Sequence, residues 1–193
     1  MFQFRSHSYD VETYPAKIQR DQNGQSVLRL DAAFHVYDSK KRKWTAPKGT
    51  ISDGASIPQW ALSAVGCQFS EDFLDAAVNH DAYCGEANEK DGASFHQANW
   101  QDVHRMFYDA CIKCGTSPLK ASLMYAAVYV GGPDWDDPDR GIAAVPQKAK
   151  VSCLKACAKW IESERPPIEE ITKWMKEVEP SLREGKTSAG DGK

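Results

Sequence analysis

Two histidines in apolar surroundings are the residues of this chain best suited to chemistry. His80 lies on the apolar face of a predicted helix and is followed directly by Asp81, and His104 lies in a second apolar stripe of helical period. An inward-facing neutral imidazole beside a carboxylate can act as a general base or as a metal ligand. These residue types therefore indicate a candidate site formed by two helices.

A carboxylate from another segment would complete a set of metal-binding groups. The predicted ligands of a divalent cation, zinc or a similar metal, are Asp53, His80 and His104, with one position left open for water. The bound water would attack an ester, amide or phosphate, with His80, Asp81 and His104 as the catalytic residues. Adjacent residues on a helix point about 100° apart, however, so His80 and Asp81 do not naturally face one centre.

Two hydroxyl groups offer a metal-free alternative. His80 can activate water or the hydroxyl of Ser56 or Tyr83, and these hydroxyls can also orient a substrate.

A structural interpretation is open for each of these residues. Ser56 can cap a helix, and Asp53 can close a turn through its own backbone. His80 and His104 can be core histidines that hydrogen-bond to each other, to Asp53 or to carbonyl groups, while Asp81 pairs with Arg105.

The composition is typical of a soluble globular protein, with 41% hydrophobic and 26% charged residues among 193. A net charge of −3 argues against a nucleic-acid-binding surface. No run of about 18 apolar residues predicts a membrane span. The first residues lack the pattern of a signal peptide, so we expect synthesis in the cytoplasm and, for an envelope role, export without a signal peptide.

Six cysteines allow three states. Without a signal peptide, disulfides are not the default. A zinc site could join two helical pairs, but small buried residues where helices meet are the favoured interpretation. The cysteines are Cys67, Cys84, Cys111, Cys114, Cys153 and Cys157.

The order of patterns predicts an α+β fold. Residues 1–52 favour a small antiparallel β-meander, in which residues 28–36 form one alternating strand. Four helices follow, of which the second is ended by Gly85 and the third spans about 96–114. Two further helices, at about 147–164 and 167–179, form a C-terminal extension. The predicted organisation is a core domain at 1–135, the helical extension at 136–184 and a disordered tail at 185–193.

Several motifs, in one order, resemble a known family. They are Asp53-Gly-Ala-Ser-Ile-Pro58, Ala76-Ala-Val-Asn-His-Asp81, His104-Arg-Met-Phe-Tyr-Asp-Ala110 and Leu123-Met-Tyr-Ala-Ala-Val128 with Gly131-Gly132. Over about residues 25–135 the chain resembles the domain of unknown function 1353, which is common in phages and prophages. Cys84 stands where the family usually has tyrosine, and Phe107 where it usually has aspartate. The resemblance implies a phage-related setting and no settled activity.

The leading hypothesis is a small hydrolase, metal-assisted, in phage lysis or as a secreted antibacterial effector, acting on a cell-envelope substrate. Its expected partners are that substrate or a bacterial protein, together with an immunity or carrier protein docked on the C-terminal helices. The alternative is a non-enzymatic phage assembly or host-protein-binding protein in which the His-Asp helix is structural. In that case Trp160 and Trp174 belong to the docking surface.

Overall fold

The computed structural model describes residues 16–20, 26–53, 57–64, 73–135 and 145–184. Within these ranges five short strands precede six helices, and the α+β class is confirmed. The strands are β1 (Ala16–Arg20), β2 (Ser26–Leu30), β3 (Phe34–Tyr37), β4 (Lys43–Ala46) and β5 (Ile51–Ser52). The helices are α1 (Gln59–Ala64), α2 (Leu74–Cys84), α3 (Trp100–Lys113), α4 (Pro118–Gly131), α5 (Gln147–Glu164) and α6 (Ile168–Arg183).

The strands form two small antiparallel sheets. One has the order β1-β2-β5, and the other is the β3-β4 hairpin. The single alternating strand predicted over residues 28–36 is therefore wrong, because the chain bends at residues 31–33 and its two halves join different sheets. The inward positions Leu30, Phe34 and Val36 are all buried. The alternation thus continues across the bend, which explains why the pattern alone hides it.

The third helix begins later than predicted. It starts at Trp100 rather than near residue 96, because His96 has a left-handed backbone with φ of 53°. Asn99 then caps the helix, its side chain accepting a hydrogen bond from the backbone N–H of Asp102. The second helix ends at Gly85 as predicted.

The chain divides into two compact units. The first consists of residues 1–56 and 70–117, and the second of residues 57–69 and 118–193. This division differs from the predicted boundary near residue 135, because α4 belongs with the C-terminal helices. Residues 121–130 of α4 are all buried, and α1, α5 and α6 pack against this helix within the second unit.

In the first unit, α2 is the central element. It packs against α3 and against strands of both sheets, β3, β4 and β5. Phe73, Ala77 and Val78 contribute to its buried surface. This position brings the chemically interesting residues of α2 into the protein interior. None of the described helices combines the length and apolar character needed to cross a bilayer.

Candidate functional site

The two histidines of the predicted site lie side by side in the core of the first unit. His80 on α2 and His104 on α3 approach through their rings, with 2.9 Å between Nε2 of His80 and Nδ1 of His104. His80 is 1% exposed and His104 is 0% exposed. The rings of Phe107 and Trp100 cover this pair, with centroids 5.1 Å from His80 and 5.4 Å from His104, respectively.

Cys84 contacts the other ring nitrogen of His80. Its Sγ lies 3.3 Å from Nδ1 of His80 and 3.2 Å from the carbonyl oxygen of the same residue. When the thiol donates to that carbonyl, the sulfur is free to accept from Nδ1–H, and Nε2 of His80 then accepts from His104. When the thiol instead donates to Nδ1, the bond between the rings reverses. Either proton arrangement satisfies both ring nitrogens of His80 with neutral groups.

Burial keeps His80 and Cys84 uncharged. It lowers the pKa of His80 from 6.5 to about 3, so the ring is neutral at physiological pH. Burial also raises the pKa of the Cys84 thiol well above its usual value, and the nearby Asp81 carboxylate adds to the shift. A nucleophilic cysteine needs the opposite change, a lowered pKa beside a cationic partner. The contact between Cys84 and His80 is therefore a packed neutral pair.

Asp81 points to a different neighbour. Its Oδ2 accepts a hydrogen bond from the hydroxyl of Ser52 on β5. Its Oδ1 lies 4.0 Å from Nδ1 of His80, too far for a hydrogen bond. Arg105, the predicted partner of Asp81, lies 3.5 Å from Asp109 instead. Asp81 thus links α2 to the sheet and does not orient the imidazole of His80.

Asn88 forms hydrogen bonds with the same strand, β5, at a second residue. Its amide Nδ2 donates to the carbonyl oxygens of Ile51, at 2.7 Å, and Asp81, at 2.9 Å. Its Oδ1 accepts from the backbone N–H of Ile51 at 2.9 Å. The side chain thereby occupies both backbone groups of Ile51, as a neighbouring strand would.

Tyr83 contacts the other sheet, the β3-β4 hairpin. Its hydroxyl accepts a hydrogen bond from the backbone N–H of Thr45 on β4 at 3.2 Å, and its ring packs edge-on against Trp44 at 5.1 Å. The hydroxyl of Ser94 donates to the carbonyl oxygen of Thr45 at 2.8 Å. Tyr83 is 8% exposed, so it is a buried contact between α2 and the hairpin.

The predicted metal ligands are not gathered into one set. Asp53 is exposed, whereas His80 and His104 are buried and bonded to each other. Across the described ranges, no group of three or more His, Cys, Asp or Glu side chains is arranged to hold a metal ion. The metal site therefore stays a prediction. Ser56 lies outside the described residues.

The described cysteines do not form disulfides with one another. These cysteines are Cys84, Cys111, Cys114, Cys153 and Cys157. Burial raises the pKa of Cys114 to about 12 and that of Cys153 to about 11. Cys67 lies outside the described residues.

Ser52 and Asn88 are the site residues that the sequence did not reveal. Asp81 meets Ser52 across 29 positions of the chain, and Asn88 meets Ile51 across 37. A polar loop residue and a strand serine carry no local pattern that predicts such contacts. Ser52 belongs to β5, which pairs with β2 and packs against α2, whereas Asn88 follows α2 directly in the chain.

Two proteins of Sinorhizobium fredii are similar to this chain, and both are named as uncharacterized. Uncharacterized protein y4iH is 37% identical over 106 residues, which cover 55% of this chain and 41% of the relative. Uncharacterized protein y4jT is 37% identical over 115 residues, covering 60% of this chain and 32% of the relative. The matched part is thus less than half of either relative. No solved structure matches the chain.

A family profile covers most of the first unit and its buried cluster. The family described as "Protein of unknown function (DUF1353)" matches residues 28–128, more than half of the chain. The matched region begins within β2 and contains the described elements from β3 to α3, and with them both histidines. The chain belongs to this family.

Proposed function

We propose that this chain is a non-enzymatic binding or assembly protein in which the His-Asp helix is structural. The observation that supports this is the mutual hydrogen bond of His80 and His104 at exposures of 1% and 0%. A catalytic imidazole must reach substrate or water during the reaction, and its pKa should lie near the working pH. A ring buried against a second imidazole, with its pKa lowered to about 3, meets neither requirement.

The relatives offer further support for a module. The matched part is 41% of one relative and 32% of the other. A domain carried within longer proteins is suited to connecting or positioning other segments. Its rigidity then matters more than a reactive group, and the contacts of Asp81, Tyr83 and Asn88 provide that rigidity.

Chemical accessibility of the histidines tests the structural role. Diethyl pyrocarbonate acylates neutral imidazoles, and mass spectrometry locates the modified residues. His96 is exposed and serves as the internal control in the same sample. We expect rapid modification of His96 in the native protein, with His80 and His104 protected until the protein is unfolded in urea.

Modification of His80 or His104 at the rate of His96 would contradict the proposal and favour an open catalytic cluster. Elemental analysis of the purified protein gives a second check on the metal-assisted hydrolase, which stays a prediction. A stoichiometric metal that disappears in a His80→Gln variant would favour the hydrolase over the structural role.

The α5–α6 pair is the surface we propose for docking another protein. Trp160 and Trp174 are half-buried, and their rings lie side by side with centroids 6.1 Å apart. The indole N–H of Trp160 donates to Glu164 at 3.2 Å. Tryptophans with one open face and charged neighbours are typical of protein interfaces, where they contribute much of the binding energy.

Paired substitutions test this surface. Trp160→Ser with Trp174→Ser should reduce partner recovery at least about tenfold in crosslinking from expressing cells, the loss expected of a hot-spot residue. The control is Lys155→Ser with Lys173→Ser, exposed positions on the same helices. Equal recovery from both variants, with unchanged melting temperatures, would rule out this docking surface.

A further inference from the structure

A second face of α2 carries two polar side chains that take no part in the hydrogen bonds of the histidine cluster. Asp75 and Asn79 lie four residues apart, so they occupy one side of the helix, one turn from each other. Asn79 immediately precedes His80, and its side chain therefore points about 100° away from that ring. Both residues are buried, with Asn79 0% and Asp75 8% exposed.

The amide of Asn79 has no hydrogen-bond partner among the described residues. Its Nδ2 and its Oδ1 are both buried, and no atom of the described ranges donates to or accepts from either. The amide of Asn88, in contrast, makes hydrogen bonds through both its nitrogen and its oxygen. Since folded proteins satisfy the great majority of their buried polar groups, the Asn79 amide points to a bound group outside the chain.

Asp75 places a carboxyl group one turn earlier on the same face. No hydrogen-bond donor reaches it from the part of the chain that the structure describes, although the Cys114 thiol is close enough to feel its charge. Burial raises the pKa of Asp75 from 3.8 to about 6. The face therefore offers acceptors on Asp75 and Asn79 together with the N–H donors of Asn79.

We propose that Asp75 and Asn79 bind an internal water molecule. Cβ atoms at this spacing are about 5–6 Å apart, a separation that one water can bridge. The water would donate one hydrogen to the Asp75 carboxylate and the other to Oδ1 of Asn79, and it would accept from Nδ2. These three hydrogen bonds are the usual number for a buried water.

Other occupants match this donor and acceptor set less well. A metal ion or an ammonium group would engage the oxygens but leave Nδ2 of Asn79 without an acceptor. An anion would be repelled by the Asp75 carboxylate. A larger organic molecule would require an opening to solvent, whereas the Asn79 side chain is 0% exposed.

Nuclear Overhauser spectroscopy of the unmodified protein tests the site directly. The side-chain amide protons of Asn79 should show cross-peaks at the water frequency, with the sign of a long-lived contact. The side-chain amide of Asn88 is the internal control, because its nitrogen donates to two protein carbonyls. Absence of a water cross-peak at Asn79 would overturn the proposal.

A variant provides a second, independent measurement. Asn79→Leu keeps the approximate size of the side chain but removes its donors and acceptor. Magnetic relaxation dispersion of water should then count one long-lived internal water fewer than in the unmodified protein. An unchanged count in the folded variant would also overturn the proposal, and if the variant does not fold, the cross-peak experiment decides.

Discussion

At the scale of single residues, neighbouring positions on α2 contact different elements, because successive side chains on a helix point in different directions. His80 faces α3, Asp81 faces β5 and Tyr83 faces β4. The 4.0 Å separation between Nδ1 of His80 and Oδ1 of Asp81 agrees with the geometric objection to a catalytic pair of these two residues. What the sequence presents as one motif is a set of three contacts to three elements.

The buried His80 should make the protein sensitive to acid. Its pKa is about 3 when folded and 6.5 as the reference for an unfolded chain. Below pH 6.5, His80 binds a proton in the unfolded chain but stays unprotonated in the folded protein. The free energy of unfolding therefore falls as the pH drops toward 3. The limiting slope for one such group is about 1.4 kcal/mol per pH unit.

Urea unfolding of the unmodified protein and of His80→Gln between pH 7 and pH 4.5 measures this effect. The free energy of unfolding should fall more steeply in the unmodified protein. Parallel curves would show that His80 does not cause the acid sensitivity.

Asp75 should act in the opposite direction. Burial raises its folded pKa from 3.8 to about 6, so folding disfavours the charged form and this cost is fully present above pH 6. Asp75→Asn should therefore be more stable than the unmodified protein at pH 7, by about 1–3 kcal/mol. The difference should shrink below pH 6 and vanish near pH 3.8. Calorimetric melting at pH 7 and pH 4 measures it, and an equal gain at both values would contradict the assignment.

At the scale of elements, sequence patterns place most helices well but not the connections that form the buried cluster. Helical periodicity and end signals locate α2, α4 and α5 because those signals are local. The sequence pattern does not predict the bend between β2 and β3, because the alternation of inward-facing residues continues through it. The sequence pattern does not predict the partners of Asp81 and Tyr83 either. Those partners lie on strands far away in the sequence, and the folding of the sheets brings them to α2.

Asn88 provides the strongest test of these connections. Asn88→Ala removes three hydrogen bonds that tie Ile51 and α2 together, and it takes away the side-chain partners of the partly buried N–H and C=O groups of Ile51. We expect a loss of about 2–4 kcal/mol in the free energy of unfolding. Hydrogen exchange at the amide of Ile51 should accelerate, whereas exposed Glu89→Ala should change neither quantity. Unchanged exchange at Ile51 would show that the side chain is dispensable for β5.

At the scale of the whole molecule, the chain order and the compact units do not coincide. The second unit combines residues 57–69 with everything from residue 118 onward, so it interrupts the first unit in sequence. Sequence patterns cannot reveal this, because α4 follows α3 through a short turn at Gly115 and resembles a continuation of the same domain. Only its uniformly buried surface, at residues 121–130, indicates that it needs cover from several neighbours.

Removal of the last two helices should therefore disrupt folding as well as any docking. A chain truncated after residue 140 lacks α5 and α6, which pack on α4. We expect exposed apolar surface, increased binding of a hydrophobic dye and self-association in size-exclusion chromatography. The double tryptophan variant is the matched control, since it retains both helices. A monomeric truncated protein with unchanged dye binding would show that α4 does not depend on them.

The hydroxyl groups around Thr45 have a consequence for aggregation. An edge strand normally exposes N–H and C=O groups that a strand from another molecule can join. On β4 the N–H of Thr45 donates to Tyr83, and its carbonyl accepts from Ser94. An incoming strand would have to displace these two hydrogen bonds before it gained its first backbone hydrogen bonds there. This edge of the hairpin is thus protected against the strand addition by which β-rich proteins polymerise.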